Sequence, residues 1–275
     1  MILTEQISDH FGGKTILLTG AASGIGRALA LRLAAAGVCV HAVDANREGL
    51  ESLRGEAGEK GKVVPCVLDV RDFEGFSGLV RRVHEETQRI DFLFNNAGVT
   101  LLGEAQKIPF ERWKWLLDIN LMGVVHGILP VYPIMIRQGG GHIINTASIA
   151  GVTGYATAAA YTASKAAVLE LTRSLRSEAR AYGVKVSAAC PGYVDSGIFV
   201  QERVVGADLD DVMRDLPVAM MTPDEAACHL LRGVIAGKET IVFPFTARFL
   251  WNFSNWAPSV VGLLQKRFLR AFQAS

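Results

Sequence analysis

Thr19-Gly20-Ala21-Ala22-Ser23-Gly24-Ile25-Gly26 joins a short β-branched run, residues 15–19, to an apolar stretch of helical period, residues 25–36. A strand that turns on glycine straight into a helix is a ready cradle for phosphate. Gly20 permits the tight turn, Gly24 lets backbone approach a pyrophosphate, and Gly26 lets helix and strand pack closely. Ser23, Gly24 and Ile25 belong to the stretch whose free N–H groups and helix dipole face the phosphates. The flanks carry the reading, because a glycine pattern alone is also an ordinary structural turn. No Gly-Lys-Ser/Thr closes the run, so a P-loop is excluded.

Outward from this turn, apolar runs and helical periods alternate. Further strands are predicted at 38–44, 63–69, 92–95, 142–146, 185–189 and 240–243, and further helices at 73–88, 110–137, 158–182 and 223–236. Pro130 and Pro133 are expected to kink or break the helix over 110–137 near its end. The alternation predicts right-handed βαβ units, hence an α/β domain with a doubly wound, seven-stranded parallel sheet and helices on both faces. There is no repeat, low-complexity tract or linker, so residues 1–275 are read as one domain. Residues 193–221 form too long a connection for a simple loop and are expected to cover a site. Residues 245–275 form an apolar and basic tail.

Composition narrows the function. Half of the 275 residues are hydrophobic and 20% are charged, which excludes a disordered chain. Lys and Arg number 28 against 27 Asp and Glu, so no net field favours nucleic acid. Cys39, Cys66, Cys190 and Cys228 lie far apart, with no zinc spacing, so no metal is expected and a reduced, cytoplasmic setting is. The start lacks the apolar core of a signal peptide, and no uninterrupted run approaches the roughly 18 residues of a membrane span.

The second predicted strand ends at Asp44, eighteen residues past Gly26. A carboxylate there can accept both hydroxyls of an adenosine ribose and repels a 2′-phosphate, which favours NAD. Neither Arg nor Lys occupies Ala22, Ser23 or Ala45, and Arg47 is the nearest cation. An ordinary solvated aspartate is the bland reading, weakened by the glycine turn before it.

Further elements follow in order: Asn95-Asn96-Ala97-Gly98, Asn120 in the next helix, Ser148 after the fifth strand, Tyr161-Thr162-Ala163-Ser164-Lys165, and Pro191-Gly192-Tyr193-Val194-Asp195-Ser196. With the glycine turn, this arrangement over about residues 12–244 resembles the short-chain dehydrogenase/reductase family. The resemblance implies a single-domain Rossmann fold and carries roles to matching positions. Tyr161 would be the acid/base and Ser148 would polarise the substrate oxygen. Lys165 would hold the nicotinamide ribose and tune Tyr161, and Asn120 would hold a water that relays protons. Asp69 and Val70 would flank adenine, Asn96, Ala97 and Gly98 would line the cleft, and Pro191, Gly192, Val194 and Ser196 would meet the carboxamide end. Ser196 stands where the family usually has Thr, keeping the hydroxyl. Paired helices forming a homodimer or homotetramer are implied as well.

The residues make chemical sense by themselves. Tyr161 and Lys165 stand four apart on a helix, hence on one face. An ammonium beside a phenol is expected to favour phenolate, as a base for an alcohol proton requires. Ser148 offers a donor where negative charge develops on a carbonyl oxygen. Singly, a core tyrosine and a solvated lysine are the bland readings; together the residues outweigh them.

Pocket walls are expected at 99–102, 149–155 and in the segment after Pro191, where Ile198, Phe199, Val200, Val204, Val205, Leu209, Val212, Met213, Leu216, Val218, Met220 and Met221 suit a bulky apolar ligand. The expected function is an NAD(H)-dependent alcohol dehydrogenase or ketone reductase acting on a lipophilic small molecule. The alternative is an NADPH-dependent 3-oxoacyl-thioester reductase acting on a carrier protein, and a third reading is a nucleotide-binding scaffold without chemistry. In the tail, Val260, Val261, Leu264, Phe268 and Phe272 would share one helical face, with Lys266 and Arg270 pointing away. That face is expected to lie on anionic lipid as a peripheral membrane contact, or else to pack on a neighbouring subunit or close the substrate pocket.

Overall fold

Side chains that alternate between the two faces of a strand explain how one sheet carries two cores. In β1 (Ile16–Thr19), Ile16 and Leu18 enter one apolar cluster and Leu17 enters the other. Complete burial of each such side chain contributes about 1.5–3 kcal/mol. The computed structural model describes residues 3–58, 61–214, 220–256, 266, 269, 272 and 273. In chain order its helices and strands are α1 (Leu3–Phe11), β1, α2 (Gly24–Ala35), β2 (Cys39–Asp44), α3 (Arg47–Ala57), β3 (Lys62–Val67), α4 (Phe73–Thr87), β4 (Phe92–Asn95) and β5 (Leu102–Gly103). They continue as α5 (Phe110–Leu117), α6 (Gly123–Arg137), β6 (Gly141–Thr146), α7 (Ala150–Thr153), α8 (Ala159–Ala179), β7 (Val184–Pro191), β8 (Val204–Val205), α9 (Leu209–Arg214), α10 (Pro223–Ile235), β9 (Thr240–Phe243) and α11 (Phe245–Trp256).

Seven strands form one sheet in the order β3-β2-β1-β4-β6-β7-β9. Every pairing is parallel, with Ile16 beside both Val40 and Phe92. The chain reverses its direction of winding between β1 and β4, and such a switch opens a crevice at the carboxyl ends of the strands. On one face Leu29, Leu33, Leu50, Leu53 and Leu230 pack from α2, α3 and α10. On the other Phe76, Val80, Val124, Ile128, Val168 and Leu169 pack from α4, α6 and α8.

Three sequence expectations change. Pro130 and Pro133 do not break their helix: α6 continues through both to Arg137. They lie off the buried stripe of Val124, Gly127, Ile128, Val131, Ile134 and Met135, so the carbonyls their rings leave unpaired are away from the core. The irregularity lies earlier, in a widened π-type turn at Asp118–Met122. The whole helical stretch Phe110–Arg137, 28 residues, is long and apolar enough to cross a membrane by length and composition, yet Val124, Ile128 and Val131 are core residues beneath the sheet. Finally, residues 193–221 are no plain loop, since they include β8, paired with β5, and α9. Leu216 and Val218 lie outside the described residues.

The aromatic cluster after β9 begins as α11, which exposes Phe245 and Phe249 and sets Trp251 5.8 Å from the Arg173 guanidinium. Of the tail face expected beyond it, Val260, Val261, Leu264 and Phe268 lie outside the described residues, as does Arg270. Lys266 is exposed. Phe272 is turned inward and buried against Leu102, Ala158 and Val212.

Candidate active site

At the carboxyl ends of β1 and β4 a cleft of about 440 Å³ runs from Asp44 to Tyr161. Its first half grows from the glycine turn. Gly24 holds φ 51°, where a Cβ would also stand 2.8 Å from Ser196. A Cβ on Gly26 would meet the Gly20 carbonyl oxygen at 2.0 Å, so α2 can leave the strand this closely only with glycine there. Gly26 is thus a packing residue beneath the cleft, whereas Gly20, Ser23, Gly24 and Ile25 line it. Ser23 is the N-cap of α2 and makes no side-chain capping bond. The first-turn N–H groups have no acceptors within a helix, and the cleft offers them an anion.

Asp44 fixes the far end. Its Oδ2 accepts from the Ala22 N–H and its Oδ1 from the Asn46 N–H, both at 2.9 Å, so one carboxylate ties the glycine turn to the start of α3. Arg27, one residue beyond the glycine turn, does not line the cleft and is engaged elsewhere. It donates to the Gly49 carbonyl, to Ser52 and, at 2.6 Å, to Glu56. Asp69 and Val70 line the same wall together with Leu68, and the Arg71 guanidinium holds the Asp69 carboxyl below its usual range. Asn96, Ala97 and Gly98 form the floor. The Asn96 side chain donates to the Thr19 carbonyl at 3.1 Å, and the Thr19 hydroxyl accepts from the Asn96 and Ala97 N–H groups at 3.0 Å.

The second half holds the chemistry. Ser148, Tyr161 and Lys165 line one wall, with Pro191, Gly192, Val194 and Ser196 opposite. Ser148 follows β6 and accepts from the Ala150 N–H at 3.1 Å, leaving its own proton for another oxygen. Tyr161 and Lys165 project from one face of α8, with the ammonium 5.8 Å from the ring centre. Lys165 is almost wholly buried and donates to the Thr146 carbonyl at 2.8 Å. Burial draws its pKa down to about 8. Burial pushes the Tyr161 phenol up, against a hydrogen bond with Ser148 that pulls it down. The expected ammonium-driven fall at Tyr161 is therefore not found; desolvation favours the neutral form of both groups.

Asn120 does not line the cleft but stands behind it. Its Oδ1 accepts from the Val99 N–H at 2.8 Å, and its Nδ2 donates to the Val99 carbonyl at 2.9 Å and to Ser164 Oγ at 3.1 Å. The π-type turn supplies this position, locking the segment after β4 to α8. Ile198, Phe199, Val212 and Met213 line the cleft as expected of their segment, joined by Leu102, Tyr155 and Arg203. Met221 is instead core, bridged to Val194. The Thr146 carbonyl is the one contact of Lys165 with no sequence signal, because any residue supplies a carbonyl.

A nucleotide-cradling turn facing a Ser-Tyr-Lys wall defines a hydride-transfer enzyme. The family profile described as short chain dehydrogenase matches residues 14–204. A 3-oxoacyl-[acyl-carrier-protein] reductase of Thermotoga maritima is 40% identical over 185 residues, covering 67% of this chain and 75% of the relative. A short-chain dehydrogenase/reductase from Burkholderia phymatum in complex with NAD aligns with TM-score 0.79 at 27% identity, over 91% of this chain and 95% of that one. One from Sphingobium yanoikuyae in complex with NADPH aligns with TM-score 0.77 at 26% identity, over 90% and 94%. The chain belongs to the short-chain dehydrogenase/reductase family. It is an oxidoreductase with a nicotinamide cofactor.

Proposed function

We propose that this oxidoreductase is NAD(H)-preferring and interconverts a lipophilic secondary alcohol and its ketone. The observation that carries the reading is the pairing of two ends of one cleft: the Asp44 carboxylate at one, and Ser148, Tyr161 and Lys165 at the other. The residues fit the cofactor. First-turn N–H groups of α2 face where a pyrophosphate would lie, and the Asp44 carboxylate remains an acceptor for ribose hydroxyls. A bound nicotinamide supplies or accepts the hydride.

In reduction, Ser148 donates to the ketone oxygen and Tyr161 delivers the proton that the nascent alkoxide needs. The neutral phenol favoured by burial is the form that can do so. Lys165, held by Thr146, places positive charge beside the phenol as it gives up its proton. Oxidation reverses the transfer and requires the phenolate, so its rate is expected to rise with pH. The apolar walls Leu102, Ile198, Phe199, Val212 and Met213 support a lipophilic substrate.

The 40% identity to a 3-oxoacyl-[acyl-carrier-protein] reductase favours a second reading, a thioester-linked ketone reduced with NADPH. Both readings meet one experiment: turnover of cyclic, aliphatic and steroid ketones and of a 3-oxoacyl thioester, each with NADH and NADPH. Higher kcat/KM with NADPH and the thioester would overturn the first reading. Tyr161→Phe should lower kcat by at least about 10²-fold while NADH still binds. Near-normal turnover would remove Tyr161 from the chemistry.

A further inference from the structure

The end of the chain comes back to the substrate half of the cleft. Phe272 is only 2% exposed, although it stands sixteen residues beyond the last residue of α11. Its ring sits in an apolar cluster with Leu102, Ala158 and Val212, bordered by Tyr155, Tyr161 and Phe199. All six of those neighbours line the cleft. Phe272 does not line it, and so packs on its walls from behind. The next residue secures the placement: Gln273 donates to Glu104 at 2.9 Å, and Glu104 is itself bound to Lys107 at 2.6 Å and Gln106 at 3.1 Å.

The three buried neighbours come from three elements, of which β5 and the start of α8 are tied where the Gly103 N–H donates to the Thr157 carbonyl at 2.7 Å. Leu102 belongs to a two-residue strand, β5, paired only with β8. Val212 lies on α9, a helix of six residues. Ala158 is the N-cap of α8, one residue after Thr157, which holds φ 66°. Of the three, β5 and α9 are short and carry few backbone hydrogen bonds of their own, so the spacing of α9 from the other two depends on the side chains packed between them. The Phe272 ring shares one buried cluster with all three residues.

We infer that Phe272 is a positioning residue that sets the width of the substrate cavity, so that the C-terminal end of the chain selects substrates by size. The inference rests on the reading of this half of the cleft as the ketone site. Without the ring, Leu102 and Val212 lose their backing and relax outward. Small ketones then lose contact with the walls, while larger rings gain room. Discrimination by apolar walls of this kind amounts to about tenfold or somewhat more per methylene-sized change. The nucleotide half is untouched.

The test uses the full-length enzyme, Phe272→Ala and Phe272→Leu, with cyclic ketones from five to twelve carbons. Turnover is measured with saturating cofactor, and binding to the cofactor complex by calorimetry. The expected result for Phe272→Ala is KM raised about tenfold for the smallest ring with kcat little changed, an optimum moved to larger rings, and NADH affinity unaltered. Phe272→Leu should restore most of the original profile. Hydrogen exchange of residues 101–104 and 209–213 should quicken in Phe272→Ala and not in Phe272→Leu. An unchanged size profile with folded variants overturns the inference, whether or not exchange changes, and so does unchanged exchange. A wild-type enzyme that neither turns over nor binds any ring would instead refute the ketone reading, and the size-selection role would fall with it.

Discussion

Lys165 gives the sharpest test of the energetics, because the same burial that equips it for catalysis works against folding. Water is withdrawn from its ammonium, which in return donates to the Thr146 carbonyl at 2.8 Å. A pKa drawn from 10.5 down to about 8 means that the charged side chain destabilises the folded chain by about 3 kcal/mol at neutral pH. The sign follows from proton counts. Between pH 8 and 10.5 the unfolded chain holds this proton and the folded chain has lost it, so wild-type stability rises with pH across that window. Lys165→Met keeps the stem and removes the charge, leaving the Thr146 carbonyl without its donor at a cost of about 1–2 kcal/mol. The variant should therefore be more stable than wild type by about 1–2 kcal/mol at pH 7. It should become equal or slightly less stable above about pH 10, once the wild-type lysine is neutral in both states. Urea unfolding without cofactor at pH 7 and pH 10.5, at one protein concentration, reads the difference. A variant less stable than wild type at pH 7, or two stability curves parallel in pH, would refute the reasoning. Loss of both turnover and cofactor binding should accompany the gain in stability.

Asp44→Ala should relax discrimination against NADPH, seen as a fall in the ratio of kcat/KM for NADH over NADPH. An unchanged ratio would show that this carboxylate does not read the ribose. His142, buried against Ser187 at 2.8 Å, has its pKa lowered to about 3, first by burial and then by Lys185. The unfolded chain binds that proton first, so stability is lost as pH falls from about 6.5 toward 3, at up to about 1.4 kcal/mol per pH unit. His142→Gln should flatten that limb of the urea-derived stability curve, and an unchanged acid limb would assign the loss to other groups. Assembly is the remaining expectation: Phe110, Met122 and Leu129 are exposed along α5 and α6, and a second copy would cover them. Light scattering at micromolar concentration should exceed the monomer mass of 29.6 kDa, and a monomeric mass would count against it.

What the sequence made legible shares one property: it repeats a local rule. The glycine turn reads because Gly26 has no room for a Cβ, and Tyr161 with Lys165 reads because helical spacing puts them on one face. Where rules compete, the reading fails. The helix α3 went unpredicted because Gly49 and Gly55 depress helical propensity, though Asn46 caps it by accepting from the Gly49 N–H at 3.0 Å, and Leu50 and Leu53 are buried. Pro130 and Pro133 read as breakers because a sequence does not say which side of a helix is away from the core. The role of Asn120 as a tie between Val99 and Ser164, and that of Phe272 behind the cleft, depend on contacts across 21, 44 and more residues, which no periodicity reports.

The two halves of the cleft differ in construction, and the difference explains why the family is plain and the substrate is not. The nucleotide half is made of strand ends and a turn, held by backbone bonds and by Asp44, Asn96 and Thr19. Its geometry is set by the sheet itself, so any chain with that sheet and those few side chains makes nearly the same site. The substrate half is walled in part by a two-residue strand and a six-residue helix, with Phe272 packed in the apolar cluster behind them. The family profile stops at residue 204, before Val212, Met213 and Phe272. Val212, Met213 and Phe272 thus lie beyond the residues that the profile matches, while Leu102, Ile198 and Phe199 lie within them. Size selection is accordingly expected to depend on α9 as well as on the walls within the profile, and Phe272 shares one buried cluster with a residue of each, Val212 and Leu102.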